Sequence, residues 1–140
     1  MKRFALDASV ALSWFFRDEE TSQSLAIQVM ADTHTLLVPP HWFAEVANGI
    51  RQGERTGRCD PAELPHFVSL LDELDIAVDT LKPFSQFDLI LPLARERGLT
   101  VYDAAYLHCA FSNDVPLATF DRQLAVAAQA MGVRVIDGMP

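Results

Sequence analysis

The chain has little cysteine, little lysine and no long apolar run. Its two cysteines, Cys59 and Cys109, lie far apart. Nothing in that placement supports a disulfide framework. The four histidines (His34, His41, His66, His108) are scattered, and no HExxH or Cys/His cluster offers a structural zinc site. Charge interrupts every apolar stretch, so no segment can span a bilayer. The opening Met1-Lys2-Arg3-Phe4 carries two basic residues, but no apolar region of signal-peptide length precedes Asp7. A cytoplasmic location is the expectation. Lysine occurs only as Lys2 and Lys82, and 11 basic residues face 19 acidic ones, a net charge of −8. That balance speaks against nonspecific nucleic-acid binding through a cationic surface. It leaves room for a nuclease in which metal ions hold the phosphate, and it suits a basic partner protein.

What is present is a core. Half of the 140 residues are hydrophobic, which suits one compact domain over 1–140 and excludes disorder. No repeat, low-complexity stretch or linker divides the chain. Helical patterns alternate with short apolar runs. Strands are expected at 3–6, 35–38, 76–78, 116–119 and 133–136. Helices are expected at 9–16, 21–32, 41–56, 60–74, 83–97, 103–112 and 121–131. Asp60 with Pro61 opens the fourth helix as cap and first turn, Gly98 closes the fifth, and Pro92 kinks or splits it. The alternation predicts an α/β fold, a three-layer α/β/α sandwich with a five-stranded parallel sheet.

Four carboxylates stand out: Asp7, Glu45, Asp103 and Asp121. Three of them follow a short apolar run and open a helical stretch: Phe4-Ala5-Leu6-Asp7, Leu99-Thr100-Val101-Tyr102-Asp103 and Leu117-Ala118-Thr119-Phe120-Asp121. If those runs are strands of one parallel sheet, the acids gather at its carboxyl edge, where open α/β sheets bind ligands. Any one of these aspartates is well explained as a helix cap. Glu45 shares a helical face with His41, Asn48 and Gln52, and periodicity alone places it on a polar, solvated face. As a set they make chemical sense. Clustered carboxylates repel and call for a divalent cation. Mg²⁺ needs only a few of them beside a substrate phosphate. The aromatic groups Trp14, Phe15, Phe16 and Trp42, Phe43 read as core or dimer surface.

The ordered acids resemble those of the PIN-domain ribonucleases, and within them the VapC-type toxins of bacterial toxin–antitoxin pairs. Leu6-Asp7-Ala8-Ser9 resembles the family's Asp-x-Ser/Asn first-strand motif. Glu45-Val46-Ala47-Asn48 resembles its mid-chain glutamate motif, Tyr102-Asp103-Ala104-Ala105-Tyr106-Leu107 its third-acid segment, and Leu117-Ala118-Thr119-Phe120-Asp121 its Thr-x-Asp motif. The resemblance covers nearly the whole chain. It implies Mg²⁺- or Mn²⁺-dependent endonucleolytic cleavage of RNA, a homodimer, and inhibition by a cognate antitoxin. It makes Asp7, Glu45, Asp103 and Asp121 the metal-binding acids, with Ser9 and Thr119 supporting the site by hydroxyl hydrogen bonds and Asn48 beside Glu45. Arg51, Arg55 and Arg58, near the end of the Glu45 helix, are candidates for RNA phosphate contacts, set against a solvated helix terminus. Two alternatives compete. A haloacid-dehalogenase-like phosphatase would use Asp7 as nucleophile, but it needs a second acid two residues on, where Ser9 stands, and a well-placed lysine. A non-catalytic PIN-fold binding domain would have lost one acid, and none is missing.

Overall fold

The computed structural model describes residues 2–136; Met1 and 137–140, the ends of the expected 1–140 span, lie outside the described residues. Five strands are present: β1 (Arg3–Leu6), β2 (Thr35–Val38), β3 (Asp75–Val78), β4 (Leu117–Ala118) and β5 (Val135–Ile136). They form one sheet in the order β3-β2-β1-β4-β5, and every pair is parallel. Among the described residues the α-helices are α1 (Ala8–Phe15), α2 (Ser22–Ala31), α3 (Trp42–Arg55), α4 (Leu64–Asp72), α5 (Leu91–Arg97), α6 (Val101–Ser112) and α7 (Arg122–Ala130). The expected α/β/α sandwich with five parallel strands is therefore present.

Its layering follows from topology. Parallel neighbours require crossover connections, and crossovers are right-handed. Strand order runs outward from β1 in one direction to β3, then resumes on β1's other side with β4. The reversal puts α1–α4 on one face and α5–α7 on the other. Helix contacts agree: α1 packs on α2 and α3, and α6 packs on α5 and α7. With both faces covered, β1 and β2 read as continuous apolar runs, and Phe4, Leu6, Leu36 and Val38 are fully buried. β3 is an edge strand, tied in where the Thr35 hydroxyl donates to Asp75 at 2.6 Å. On the α1 side, Gly49 and Gly53 of α3 let the two helices approach closely. A Cβ at either position would stand 2.5 Å from Leu12 or Phe16.

Three local expectations change. Leu99–Tyr102 is not a strand. The Thr100 side chain caps α6 by accepting from the Asp103 N–H at 3.1 Å, and this helix-start signal overrides the β preference of Thr-Val-Tyr. Asp103 thus lies in the first turn of α6 rather than at a strand end. The helix expected at 83–97 is split as Pro92 foretold: a π turn over Gln86–Ile90 precedes α5, with the Leu91 N–H bonded to the Gln86 carbonyl and Pro92 in the first turn. The last two strands are shorter than expected, because Pro116 has no N–H for a ladder and the chain turns at Thr119.

Candidate active site

The sheet's topological switch point lies between β1 and β4, and open α/β sheets take ligands in the crevice outside such a point. Asp7 follows β1 there, and Thr119-Phe120-Asp121 follows β4. Asp7 is buried and caps α1, accepting the Ser9 N–H and the Ser9 hydroxyl on Oδ1. Its Oδ2 accepts the Thr119 hydroxyl. Both hydroxyls have their own lone pairs engaged: Ser9 Oγ accepts the Phe120 N–H at 3.2 Å, and Thr119 Oγ1 accepts the Asp121 N–H at 3.0 Å. Each hydroxyl proton is thereby directed at Asp7. The β4 turn and the β1 carboxylate hold one another in place.

The other three acids also stand at helix N-termini, where the dipole favours negative charge. Asp121 caps α7 through the Leu124 N–H at 2.9 Å. Asp103 and Glu45 lie in the first turns of α6 and α3. Glu45 does not sit on the solvated face that periodicity suggested; it is half-buried and accepts the hydroxyl of the fully buried Tyr106 at 3.1 Å. The cap reading holds for Asp7 and Asp121; Asp103 sits in a first turn that Thr100 caps, and Glu45 in one with no side-chain cap.

The acids feel one another. Burial raises the Asp7 carboxyl above its ordinary value, against the lowering effect of its Ser9 and Thr119 hydrogen bonds. Glu45 is raised first by burial, then by the charges of Asp7 and Asp103, with the Tyr106 hydrogen bond opposing. Asp103 is raised by burial and by the charges of Asp121 and Asp7. Tyr106 is pushed up by burial and by Glu45, which keeps it a neutral donor. Burial lowers His41, so its Nε2, 3.9 Å from Glu45, belongs to a neutral ring. Among the described residues, no group of three or more His, Cys, Asp or Glu side chains is placed to hold a metal ion. The donor set still suits a hard divalent cation. It is all oxygen, it carries mutual repulsion that a cation relieves, and Mg²⁺ retains most of its waters and takes few protein ligands.

The supporting residues divide. Ser9 and Thr119 bind Asp7 directly, while Asn48 is exposed one turn beyond Glu45 on α3. Arg51 is exposed and pairs with Glu54 at 3.4 Å, and Arg55 is exposed. Arg58 is committed elsewhere. It grips Asp18 at 2.7 Å and Glu19 at 2.6 Å, and its guanidinium lies 4.0 Å over the Phe16 ring. Those bonds tie the turn after α1 to the end of α3, which makes Arg58 a fold contact here. Sequence reasoning gave no role to Tyr106 or His41. Both carry a faint signal: His41 lies one turn before Glu45, and Tyr106 one turn after Asp103 on α6.

The chain and its fold have known counterparts. The PIN-domain family model matches residues 4–130. Ribonuclease VapC3 of Pyrobaculum aerophilum is 32% identical over 127 residues, covering 88% of this chain and 92% of the relative. The crystal structure of PAE2754 from Pyrobaculum aerophilum superposes with a TM-score of 0.70 at 26% identity, covering 96% of this chain and 91% of that one. VapBC2 from Rickettsia felis, solved bound to a DNA fragment from their promoter, gives a TM-score of 0.59 at 11% identity over 95% of this chain and 96% of that one, a likeness of fold alone. The family match spans both strands that flank the switch point and all four acids around it, so the chain is a member of the PIN-domain family.

Proposed function

We propose that this chain is a single-domain, metal-dependent endoribonuclease, the toxin of a type II toxin–antitoxin pair, acting in the cytoplasm. One observation carries the reading: around the switch point the charges of Asp7 and Asp103 raise Glu45 and those of Asp121 and Asp7 raise Asp103, while the buried Asp7 is gripped by two directed hydroxyls. The name of the ribonuclease relative supports the choice of substrate. A haloacid-dehalogenase-like phosphatase is disfavoured, because Ser9 stands where its second acid belongs and donates to Asp7.

In this reading Asp7 and Asp103 hold Mg²⁺ or Mn²⁺ most directly, with Glu45 and Asp121 completing the site. The cation, when bound, polarises the phosphodiester and stabilises charge on the leaving oxygen. The chain's own residues do the rest. Ser9 and Thr119 fix Asp7 in one orientation. Glu45, with its raised proton affinity, orients and deprotonates the attacking water, and Tyr106 fixes its carboxylate. Arg51 and Arg55 contact flanking phosphates.

An antitoxin and a second copy of this chain are the proposed protein partners. A groove of about 430 Å³ between α3 and α4, walled by Trp42, Ile50, Phe67 and the exposed Phe43 and Val68, suits an apolar helix face from a basic antitoxin attracted by the net charge of −8. Phe84 and Phe87, paired at 6.1 Å and largely exposed, suit a self-interface. Among the described residues no helix is long and apolar enough to cross a membrane. The test is a metal-titrated digest of total RNA with end mapping, run beside Asp7→Asn. Discrete cuts that need Mg²⁺ or Mn²⁺ and vanish in the variant are expected. Cutting that persists in the variant, or no cutting at any cation concentration, overturns the reading.

A further inference from the structure

The acid recess is short of cations. Arg58 is spent on the fold, and the chain carries only two lysines. With Arg51 and Arg55 as the proposed phosphate contacts, phosphate neutralisation by the protein supplies only part of the grip on a strand of RNA. What the recess has instead is two exposed rings. Tyr102 is 61% exposed and is peptide-bonded to Asp103; Phe120 is 39% exposed and is peptide-bonded to Asp121.

These rings stand on different sides of the acids. Tyr102 packs on His41 at 5.4 Å and borders a cavity of about 240 Å³ at the β2–β3 side, with Pro40, Asp79 and Gln86. Phe120 borders a recess of about 470 Å³ at the β1–β4 side, walled by Ser9, Ser13, Glu19, Thr21 and Gln23. Each side is tied to an acid: Ser9 beside Phe120 binds Asp7, and His41 beside Tyr102 stands 3.9 Å from Glu45. Phe120 is also held rigidly, since its N–H donates to the same Ser9 hydroxyl that grips Asp7. Phe87, also exposed, directly precedes Asp88, but Asp88 is not one of the four acids around the switch point.

We propose that Tyr102 and Phe120 are base-stacking walls of a single-stranded RNA site, one on each side of the acid recess, each taking a base of a nucleotide that flanks the cut. The proposal rests on the nuclease reading above. Stacking is available to every base through its π face, but only when the base is unpaired, so this site rejects duplex. Stacking supplies the salt-independent share of the grip, beside the salt-dependent share from Arg51 and Arg55. The His41 ring extends the Tyr102 side.

The test uses the full chain in EDTA, where nothing is cut, and a short fluorescein-labelled single-stranded RNA of randomised sequence read by anisotropy. Y102A or F120A should each weaken binding roughly 5- to 150-fold, the range that loss of one stacked base implies. Y102F and F120W should restore it, duplex RNA should compete poorly, and the salt slope should be the same in the alanine variants as in the parent. Unchanged binding in both alanine variants, equal competition by duplex, or a steep salt slope with no aromatic dependence overturns the proposal. A parallel digest with Mn²⁺ separates it from the nuclease reading. Aromatic-dependent binding without any cutting keeps the stacking site and removes the nuclease. Cutting with unaltered KM and cut positions in Y102A and F120A keeps the nuclease and removes the stacking site.

Discussion

Thr119 reaches from the end of β4 to Asp7 at the end of β1, and its hydroxyl donates to Oδ2 of that buried carboxylate. The bond spans the switch point of the sheet. It couples the two halves of the α/β fold through the group that would hold a cation. Thr119→Val keeps the shape and removes the donor. The carboxylate then loses one of the contacts that offset its desolvation, at a cost of about 1–3 kcal/mol. Thermal unfolding should show that loss, RNA cleavage should fall with it, and Thr119→Ser should recover both. A valine variant as stable and active as the parent would show the bond to be idle.

The elevated carboxyl of Asp7 makes stability depend on pH in a defined direction. Burial raises its folded value above the ordinary 3.8. Between those two values the folded chain binds more protons than the unfolded one, so stability falls as pH rises through that window. Asp7→Asn removes this contribution. In EDTA the variant should gain on the parent as pH climbs from the ordinary aspartate range, then hold a constant lead. Saturating Mn²⁺ should close the gap, since a cation at one hundred times its dissociation constant stabilises by about 2.7 kcal/mol. Melting curves across pH, with and without Mn²⁺, check both halves. A pH-independent gap would remove the desolvated-carboxylate account, and indifference to Mn²⁺ and Mg²⁺ alike would count against the cation.

Tyr106 opposes the burial and repulsion that raise Glu45. Tyr106→Phe deletes the hydroxyl and keeps the fully buried ring. Glu45 should then hold its proton to higher pH. If catalysis needs its charged form, the acid limb of the pH–rate profile moves to higher pH. The loss of rate should be large on the acid limb and small on the plateau above it, with a stability change of about 1 kcal/mol. An unshifted acid limb would detach Glu45 from the rate.

How the site could be read from the chain depends on where each acid's position is decided. Asp7 and Asp121 follow real strands and cap real helices, so local pattern placed them. Asp103 was legible by type and spacing but its context was misjudged, because Thr100 starts α6 three residues earlier and Val101-Tyr102 still carry β-branched and aromatic side chains. Glu45 was not legible from periodicity at all. Its face turns inward only because α6 crosses from the other side of the sheet and presents Tyr106, a contact between residues 61 positions apart. The same holds for Arg58, whose partners Asp18 and Glu19 lie some 40 positions away.

That commitment of Arg58 separates three arginines that looked equivalent. Arg58→Ala should lower the melting temperature, more so at low salt, because it frees the turn after α1 from the end of α3. Its KM for RNA should stay near the parent value. Arg51→Ala and Arg55→Ala should do the reverse: raise KM, leave kcat and the melting temperature nearly unchanged, and weaken further with salt. The check is steady-state cleavage beside thermal unfolding at two ionic strengths. A rise in KM for Arg58→Ala at unchanged stability would return that residue to the RNA.

The close approach of α1 and α3 gives a packing prediction graded by the stiffness of the neighbour. A Cβ on Gly49 would meet the Leu12 methyls at 2.5 and 2.9 Å, and a Cβ on Gly53 would meet the Phe16 ring edge at 2.5 Å from two carbons, with the Cys59 sulfur at 3.2 Å. Leu12 is only half-buried, and its branched end can rotate away. Phe16 is buried and clamped between Arg58 above its face and the Phe15 ring at its edge, 5.0 Å away. Alanine is otherwise the better helix former by about 1 kcal/mol. Gly49→Ala should therefore come out near neutral, while Gly53→Ala should cost about 1–3 kcal/mol net as the helices are forced apart. Because α3 carries Glu45 in its first turn, the Gly53 variant should also lose cleavage rate beyond what its folded fraction explains. Denaturant unfolding gives the first quantity and rate per folded molecule the second. Equal stability of the two variants would mean that the α1–α3 seam is loose rather than packed.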